Sequence, residues 1–369
     1  MDPEKLKLKY VTYFMEKFVI SAGGKELDIP RIQIATFQVS KQYEIEIYPF
    51  YYVVVNVPLW LYDEMINNKD SISVTMDLKY FLSDDPEKAM QGQGVFLSEY
   101  KGKYKACIPY TSQVTDPTSE DQYKQLEKSA DSVNKGYAFN EYILVEMALY
   151  NESYYNASFK KMTGCNIASN GTDIMTYILN KGNLNNILAV KADGGMGLIH
   201  DQETITQNLL TQADRYGLHS EGSIIFFDLD CGYILPKRQK CEAWRDDEHK
   251  AVYIYSGGEL SETLSRFSGI HIDGEKKFTV LAVEKHAIKT EKVDDTPVFK
   301  EQAVGNEFVT FSTSNALFNI LTPNKEFIVS IDTPKAKDIN GKYRLYSVEC
   351  NMTPRGEYLE PSFVVRLRR

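Results

Sequence analysis

This sequence has no long apolar run. The longest, YYVVVNVPLWLY from Tyr51 to Tyr62, is broken by Asn56 and Pro58. It is too short to cross a bilayer as a helix, which takes about 20 residues. The N-terminal segment MDPEKLKLKYVTYFMEKF is charged along its length. It lacks the apolar centre of a secretory signal, so the expectation is a protein made and folded in a cytoplasm. Histidine is scarce: the five (His200, His219, His249, His271, His286) stand far apart, which argues against a histidine-built zinc site on one helix face. The five cysteines (Cys107, Cys165, Cys231, Cys241, Cys350) are odd in number and include no Cys-x-x-Cys, so free and mostly buried thiols are expected. Basic residues are outnumbered by acidic ones, 42 to 51. A net charge of −9 argues against general nucleic-acid binding, which needs clustered Lys and Arg. The one basic cluster, RLRR at Arg366 to Arg369, is short and belongs to the end of a predicted strand.

What the chain does have is strand-forming sequence and tyrosine. Its 25 tyrosines suit half-buried sheets and interfaces, where the ring packs and the hydroxyl reaches water. SISVTMDLKY places Ile72, Val74, Met76, Leu78 and Tyr80 on one face and Ser71, Ser73, Thr75, Asp77 and Lys79 on the other, the period of a strand with one dry face. TFQVSKQYEIEIY reads the same way, with Tyr43, Ile45 and Ile47 opposed to Glu44 and Glu46. GVFLSEYKGKYKACIPY predicts a hairpin turning at Lys101-Gly102, and YILVEMALY a further strand. Pro58 opens a short helix, LWLYDEMINN, on which Trp60 is expected to be buried. Residues Thr111 to Gly136 are polar and predict a mobile surface loop.

The middle of the chain is helical. TDIMTYILNKG runs from an N-cap at Thr172 to a stop at Gly182, and TITQNLLTQADRYG carries Ile205, Leu209, Ala213 and Tyr216 on one face before Gly217. From Ser223 strands return (IIFFDLD, AVYIY, FTVLAVEKH, EFVTF, EFIVSID, YRLYSVE, SFVVRLRR), interrupted by a predicted helix at Glu259 to Ser268.

One order of elements occurs twice. A strand and PLWLYDEMI precede NKDSISVTMD, and GKYKACIPY follows. Later, EFVTF and NALFNIL precede NKEFIVSID, and GKYRLYSVE follows. Asn68-Lys69-Asp70 answers to Asn324-Lys325-Glu326, and Gly102-Lys103-Tyr104-Lys105 to Gly341-Lys342-Tyr343-Arg344. The landmarks lie 34 residues apart in the first copy (68 to 102) and 17 in the second (324 to 341), so the first carries an insertion.

Several segments imitate catalytic motifs. IIFFDLDCGYIL (Ile224 to Leu235) ends an apolar run in Asp228-Leu229-Asp230, as phosphatases of the haloacid dehalogenase type do. That pattern continues with Gly-Thr where Cys231 and Gly232 stand, and it needs alternating helices and parallel strands that do not follow here. An antiparallel hairpin whose acidic pair is solvated or caps a turn is the expectation. KADGGMGLIHD (Lys191 to Asp201) has His200 where a dinucleotide turn needs glycine, and Asp201 and Glu203 would repel an anion at the following helix. No Gly-x-Ser-x-Gly occurs. EAWRDDEHK (Glu242 to Lys250) reads as a charged hairpin end. No catalytic, metal-binding or cofactor-binding residue is therefore assigned, and no cofactor is expected.

Three stretches together carry a family resemblance: VVVNVPLWLYDEMINNKDSISVTMDL, ITQNLLTQADRYGLHSEGSIIFFDLDCGYIL and GKYRLYSVECNMTPRGEYLEPSFVVRLRR. The chain resembles the baseplate hub proteins of phage tails, a family shared with type VI secretion spikes and related contractile injection machines. The resemblance implies a mainly β fold with a smaller α component, built of two related antiparallel β-barrel tube domains and a helical connecting module. The expected division is a first barrel over residues 1–160 with the loop insertion at 111–136, a helical connector over 161–222, and a second barrel over 223–369 with a helical insertion near 259–268. It also implies a non-enzymatic virion protein. A homotrimer would join a hexameric tail tube and distal tail proteins to a central spike, with DNA only passing through an acidic lumen. It would neither bind nucleic acid stably nor insert into a membrane. Two alternatives are weighed against it: a tail-fibre or carbohydrate-binding protein using the tyrosines, Trp60 and Trp244, and a phosphatase using Asp228 and Asp230.

Overall fold

The computed structural model describes residues 10–83, 87–88, 91, 95–108, 142–163, 168–184, 187–189, 196–220, 222–228, 231–237, 251–256, 270–273, 278–281, 308–313, 318, 321–331, 341–355 and 358–369. The expected loop at 111–136 and helix at 259–268 lie outside these residues, as do Asp230, Cys165, Cys241 and Trp244. Strands dominate. The N-terminal part supplies β1 (Tyr10–Ala22), β2 (Lys25–Asp28), β3 (Ile34–Gln42), β4 (Phe50–Pro58), β5 (Ser73–Ser83), β6 (Val95–Cys107) and β7 (Tyr142–Asn151), with helix α1 (Leu59–Asn67) after β4. The middle holds helices α2 (Glu152–Phe159), α3 (Gly171–Gly182) and α4 (Ile205–Asp214). Its short strands are β8 (Ala168–Asn170), β9 (Ile187–Ala189), β10 (Met196–Leu198), β11 (Ser223–Phe227) and β12 (Gly232–Pro236). The C-terminal strands are β13 (Ala251–Ser256), β14 (Ile270–Asp273), β15 (Phe278–Leu281), β16 (Phe308–Thr313), β17 (Glu326–Ile331), β18 (Gly341–Arg355) and β19 (Tyr358–Arg368).

Fourteen strands join in one sheet. From β18 the hydrogen-bonded neighbours run β3, β4, β7, β6, β5, β1 and β19, and β19 pairs with β18 again. These eight strands form a closed ring in which every pairing is antiparallel. The seam between β1 and β19 is held at Tyr13 and Leu359. The C-terminal hairpin thus supplies two staves to a ring otherwise made by the first 151 residues. Beyond the ring, the start of β18 pairs with β17 and the end of β19 with β16. The sheet then continues from β17 to β13, β15 and β14. Here β13 runs parallel to both β15 and β17, a departure from the all-antiparallel expectation.

The duplicated order of the sequence reappears in space. β4, β7, β6 and β5 lie side by side in that order, all antiparallel. β16, β19, β18 and β17 repeat it. Tyr104 pairs with Val74 and Lys105 with Ser73, while Tyr343 pairs with Phe327 and Arg344 with Glu326, a register three residues nearer the Asn-Lys landmark. Both tyrosines are buried.

Apolar side chains fill the ring because irregularities in the strands keep them pointing inward. On β1 a bulge between Met15 and Lys17 lets Tyr13, Met15, Phe18 and Ile20 all face the core. A bulge between Leu345 and Ser347 does the same for Tyr343, Leu345, Val348, Cys350 and Met352 on β18. Each adds one residue, and one residue reverses the faces of everything beyond it.

Two sequence expectations for the strands fail. Lys101-Gly102 is not a turn, since β6 passes straight through it, paired to β5 along its length. Gly102 is needed for another reason: a Cβ there would come within 3.0 Å of the Tyr104 ring, which folds back over it. The segment Tyr43 to Ile47 is not strand either. β3 ends at Gln42, whose carbonyl accepts from the N–H groups of Ile45 and Glu46. That turn leaves Ile45 64% exposed while Tyr43 and Ile47 are buried.

A second core lies beside the ring, where α2, α3 and α4 pack around Ile174, Ile178, Ile205, Leu209 and Ala213. Hairpin β11–β12 belongs to both cores. Ile224, Phe226, Tyr233 and Leu235 pack with the ring residues, and Ile225, Phe227 and Ile234 with the helical ones. Burial on both faces is why this stretch reads as an unbroken apolar run.

Candidate functional site

The Asp-x-Asp segment is the natural place to look first. β11 and β12 form the expected antiparallel hairpin, Phe227 opposite Gly232. The Asp228 N–H donates to the Cys231 carbonyl at 3.1 Å and closes the turn. Gly232 is fixed by packing, since a Cβ there would meet the Phe227 ring at 2.7 Å. The expectation that the acidic pair is solvated or caps a turn is corrected at Asp228. Its side chain is 4% exposed and forms an ion pair with the ammonium of Lys41, itself 1% exposed. The Tyr154 hydroxyl donates to the Asp228 carbonyl.

Lys41 comes from β3, where Phe37, Val39 and Lys41 share the inward face. Its ammonium sits 4.6 Å from the centre of the Phe318 ring, a favourable cation–π position. Below it is Cys350, whose thiol burial pushes well above its ordinary value, with the Lys41 charge opposing. Beside Asp228, the Tyr43 phenol is pushed well up, first by burial and then by the carboxylate, and donates to the Leu321 carbonyl at 2.8 Å. The sequence reading missed this cluster. Its signal was present: FQVSKQY puts a lysine on the apolar face of an alternating strand.

The other weighed motifs resolve into local structure. Met196–Leu198 of the glycine-rich segment is strand β10, paired with β8; Lys191 to Gly195 lies outside the described residues. Helix α4 is capped by its own side chains. Thr204 accepts from the Gln207 N–H at 3.1 Å, and the Gln207 side chain accepts from the Thr204 N–H at 2.8 Å. His200 bonds the Tyr216 hydroxyl at 2.9 Å, and buried His219 bonds Ser223 at 2.8 Å. Among the described residues no three His, Cys, Asp or Glu side chains are grouped to hold a metal, and Cys107 and Cys350 are free thiols.

Several aromatic side chains lie on the surface of the described residues. Trp60, expected to be buried, is 44% exposed on α1 beside exposed Leu59, because Leu61 and Met65 occupy the inward side of that short helix. Lys25 lies 6.0 Å from the Trp60 ring. Phe50, Tyr150, Tyr155 and Phe159 form a chain of rings at 6.1, 6.3 and 4.7 Å, ending in Phe159 at 65% exposure. At the far end of the C-terminal hairpin, Arg366 stacks on Phe308 at 4.1 Å, and Arg368 binds Glu44 at 2.6 Å.

No protein-family model and no curated protein matches the chain. Solved structures similar to it include the 43 kDa tail protein of prophage MuSo2 from Shewanella oneidensis (11% identity, TM-score 0.45, 96% of this chain and 97% of that one). Another is the tail protein of Neisseria meningitidis MC58 (10% identity, TM-score 0.41, 97% of each chain). A third belongs to the half-lidded PdpA–VgrG complex of Francisella (9% identity, TM-score 0.42, 98% of this chain and 58% of that one).

Proposed function

We propose that this protein is a structural component of a phage-type tail, a hub that joins a tail tube to a central spike. The observation that carries the reading is the doubled four-strand unit. β4-β7-β6-β5 and β16-β19-β18-β17 share strand order and direction, and each buries the tyrosine of its Gly-Lys-Tyr landmark, Tyr104 and Tyr343. One chain bearing two related four-strand units gives three chains six of them, and so a threefold assembly can meet a sixfold tube. The closed ring would be the first tube barrel, and β13 to β17 with the near ends of β18 and β19 the second. The packed helices fit a connecting module. The sequence resemblance to baseplate hub proteins supports the same role, and the buried position of Asp228 supports a structural over a phosphatase function.

Solution mass tests the reading directly. Light scattering of the purified chain, alone and mixed with a cognate spike protein, is expected to give three copies, and electron images a ring with a central opening. A monomer that recruits neither copies nor spike overturns it.

A second reading, binding of carbohydrate, draws on the exposure of Trp60 and of the ring chain ending at Phe159. Saturable binding on a glycan array, lost in Trp60→Ala or Phe159→Ala, would favour it over the hub.

A further inference from the structure

Lys41 and Asp228 belong to neither an exposed patch nor an accessible cleft, yet they bring a nucleophile and an electrophile together in the core. They lie 187 residues apart in sequence and meet inside the ring, Nζ against Oδ2. One is fixed by the strand register of β3, the other by the turn of the β11–β12 hairpin, so the approach is built into the fold. We propose that this pair is a self-modification site, where the Lys41 amine and the Asp228 carboxyl condense into an amide that clamps the helical module to the ring. The inference goes beyond the hub reading and is independent of it.

Two features of the surroundings suit condensation. In water, amine and carboxylic acid stay apart because their charged forms are well hydrated, and burial removes that hydration. The ammonium faces the Phe318 ring. Beside it is a void of about 10 Å³ lined by Phe37, Val39, Tyr51, Met76, Leu78 and Phe318. That is the lower bound of the room one water needs. Fixed placement also removes the entropic cost of bringing the two groups together.

The step balances without an oxidant or co-reactant. A proton passes from Nζ to Oδ2, and the freed amine attacks Cγ. The Nζ–Cγ bond forms and the Cγ–Oδ2 bond breaks. The departing oxygen leaves as water with two of the three ammonium protons. Charge is neutral before and after.

Intact-mass spectrometry of the denatured full-length protein tests the proposal. The expected mass is that of the sequence less one water, and the deficit is expected to vanish in Lys41→Arg, which keeps a cation but cannot form this amide. Should that variant fail to fold, a tryptic digest of the protein without substitutions decides. An acylated Lys41 is not cleaved, and a branched peptide joining residues 41 and 228 should be found. A mass equal to that of the sequence overturns the proposal, as does a water deficit that persists in Lys41→Arg or maps elsewhere.

Discussion

Lys41 and Asp228 show how much a single buried contact can hold in place. Removing one partner strands the other's charge in an apolar core, at a cost of about 3–5 kcal/mol, whereas replacing both with apolar residues of similar volume can be neutral. Lys41→Met and Asp228→Ala should each lower the urea midpoint, and Lys41→Met combined with Asp228→Leu should recover the part due to the stranded charge but not the part due to the lost amide. Equal small losses in all three would place the pair outside the cooperative core. Glu46 behaves oppositely. Among the described residues one of its carboxylate oxygens is buried without a hydrogen-bond partner, and burial raises its pKa. Because the folded value lies above the unfolded one, the stabilising proton is held at low pH and is lost as pH rises through the raised value. Glu46→Gln should therefore be the more stable protein at neutral pH, with the difference closing below the ordinary carboxylate range. Melting curves across pH measure it, and a constant gap would contradict it.

At the scale of elements, the clearest legibility lay where local chemistry and tertiary packing agree. The dry face of β5 was read correctly from alternation, and Val74, Met76, Leu78 and Tyr80 are buried together with Ile72 just before the strand; Asp77, expected on the wet face, is buried as well. Helix α4 was legible too. Its capping box at Thr204 and Gln207 satisfies its first N–H groups, so Thr204→Ala should cost about 1 kcal/mol in thermal or urea unfolding, with a smaller effect from Gln207→Ala. Misreadings arose where tertiary contacts override the local signal. A glycine taken for a turn in β6 serves a ring stacked above it. A strand pattern through Glu44 and Glu46 gives way to a turn that seats Tyr43 beside Phe226, at 4.5 Å. Asp228 looked like a solvated end because its partner, Lys41, is remote in sequence. Nothing local in IIFFDLD announces that lysine.

At the scale of the whole molecule, the repeated strand order was legible from the two Asn-Lys and Gly-Lys-Tyr landmarks. The closure of the ring was not, since it depends on β3 meeting β18 and β1 meeting β19, strands from opposite ends of the chain. That closure makes a strong prediction. Residues 1–160 expressed alone lack both C-terminal staves and leave β1 and β3 as open edges, which favour association over independent folding. The fragment should show no cooperative thermal transition by circular dichroism, and adding a peptide spanning 341–369 should restore one. A sharp transition in the fragment by itself would mean that its strands close without help.

A pipe needs a bore, and this ring of strands has none. Tyrosines, phenylalanines and the Lys41–Asp228 pair occupy its middle. No polymer can be threaded through this ring. If anything travels along it, the outward faces of the staves must be the wall, and several copies must stand around the passage to enclose it.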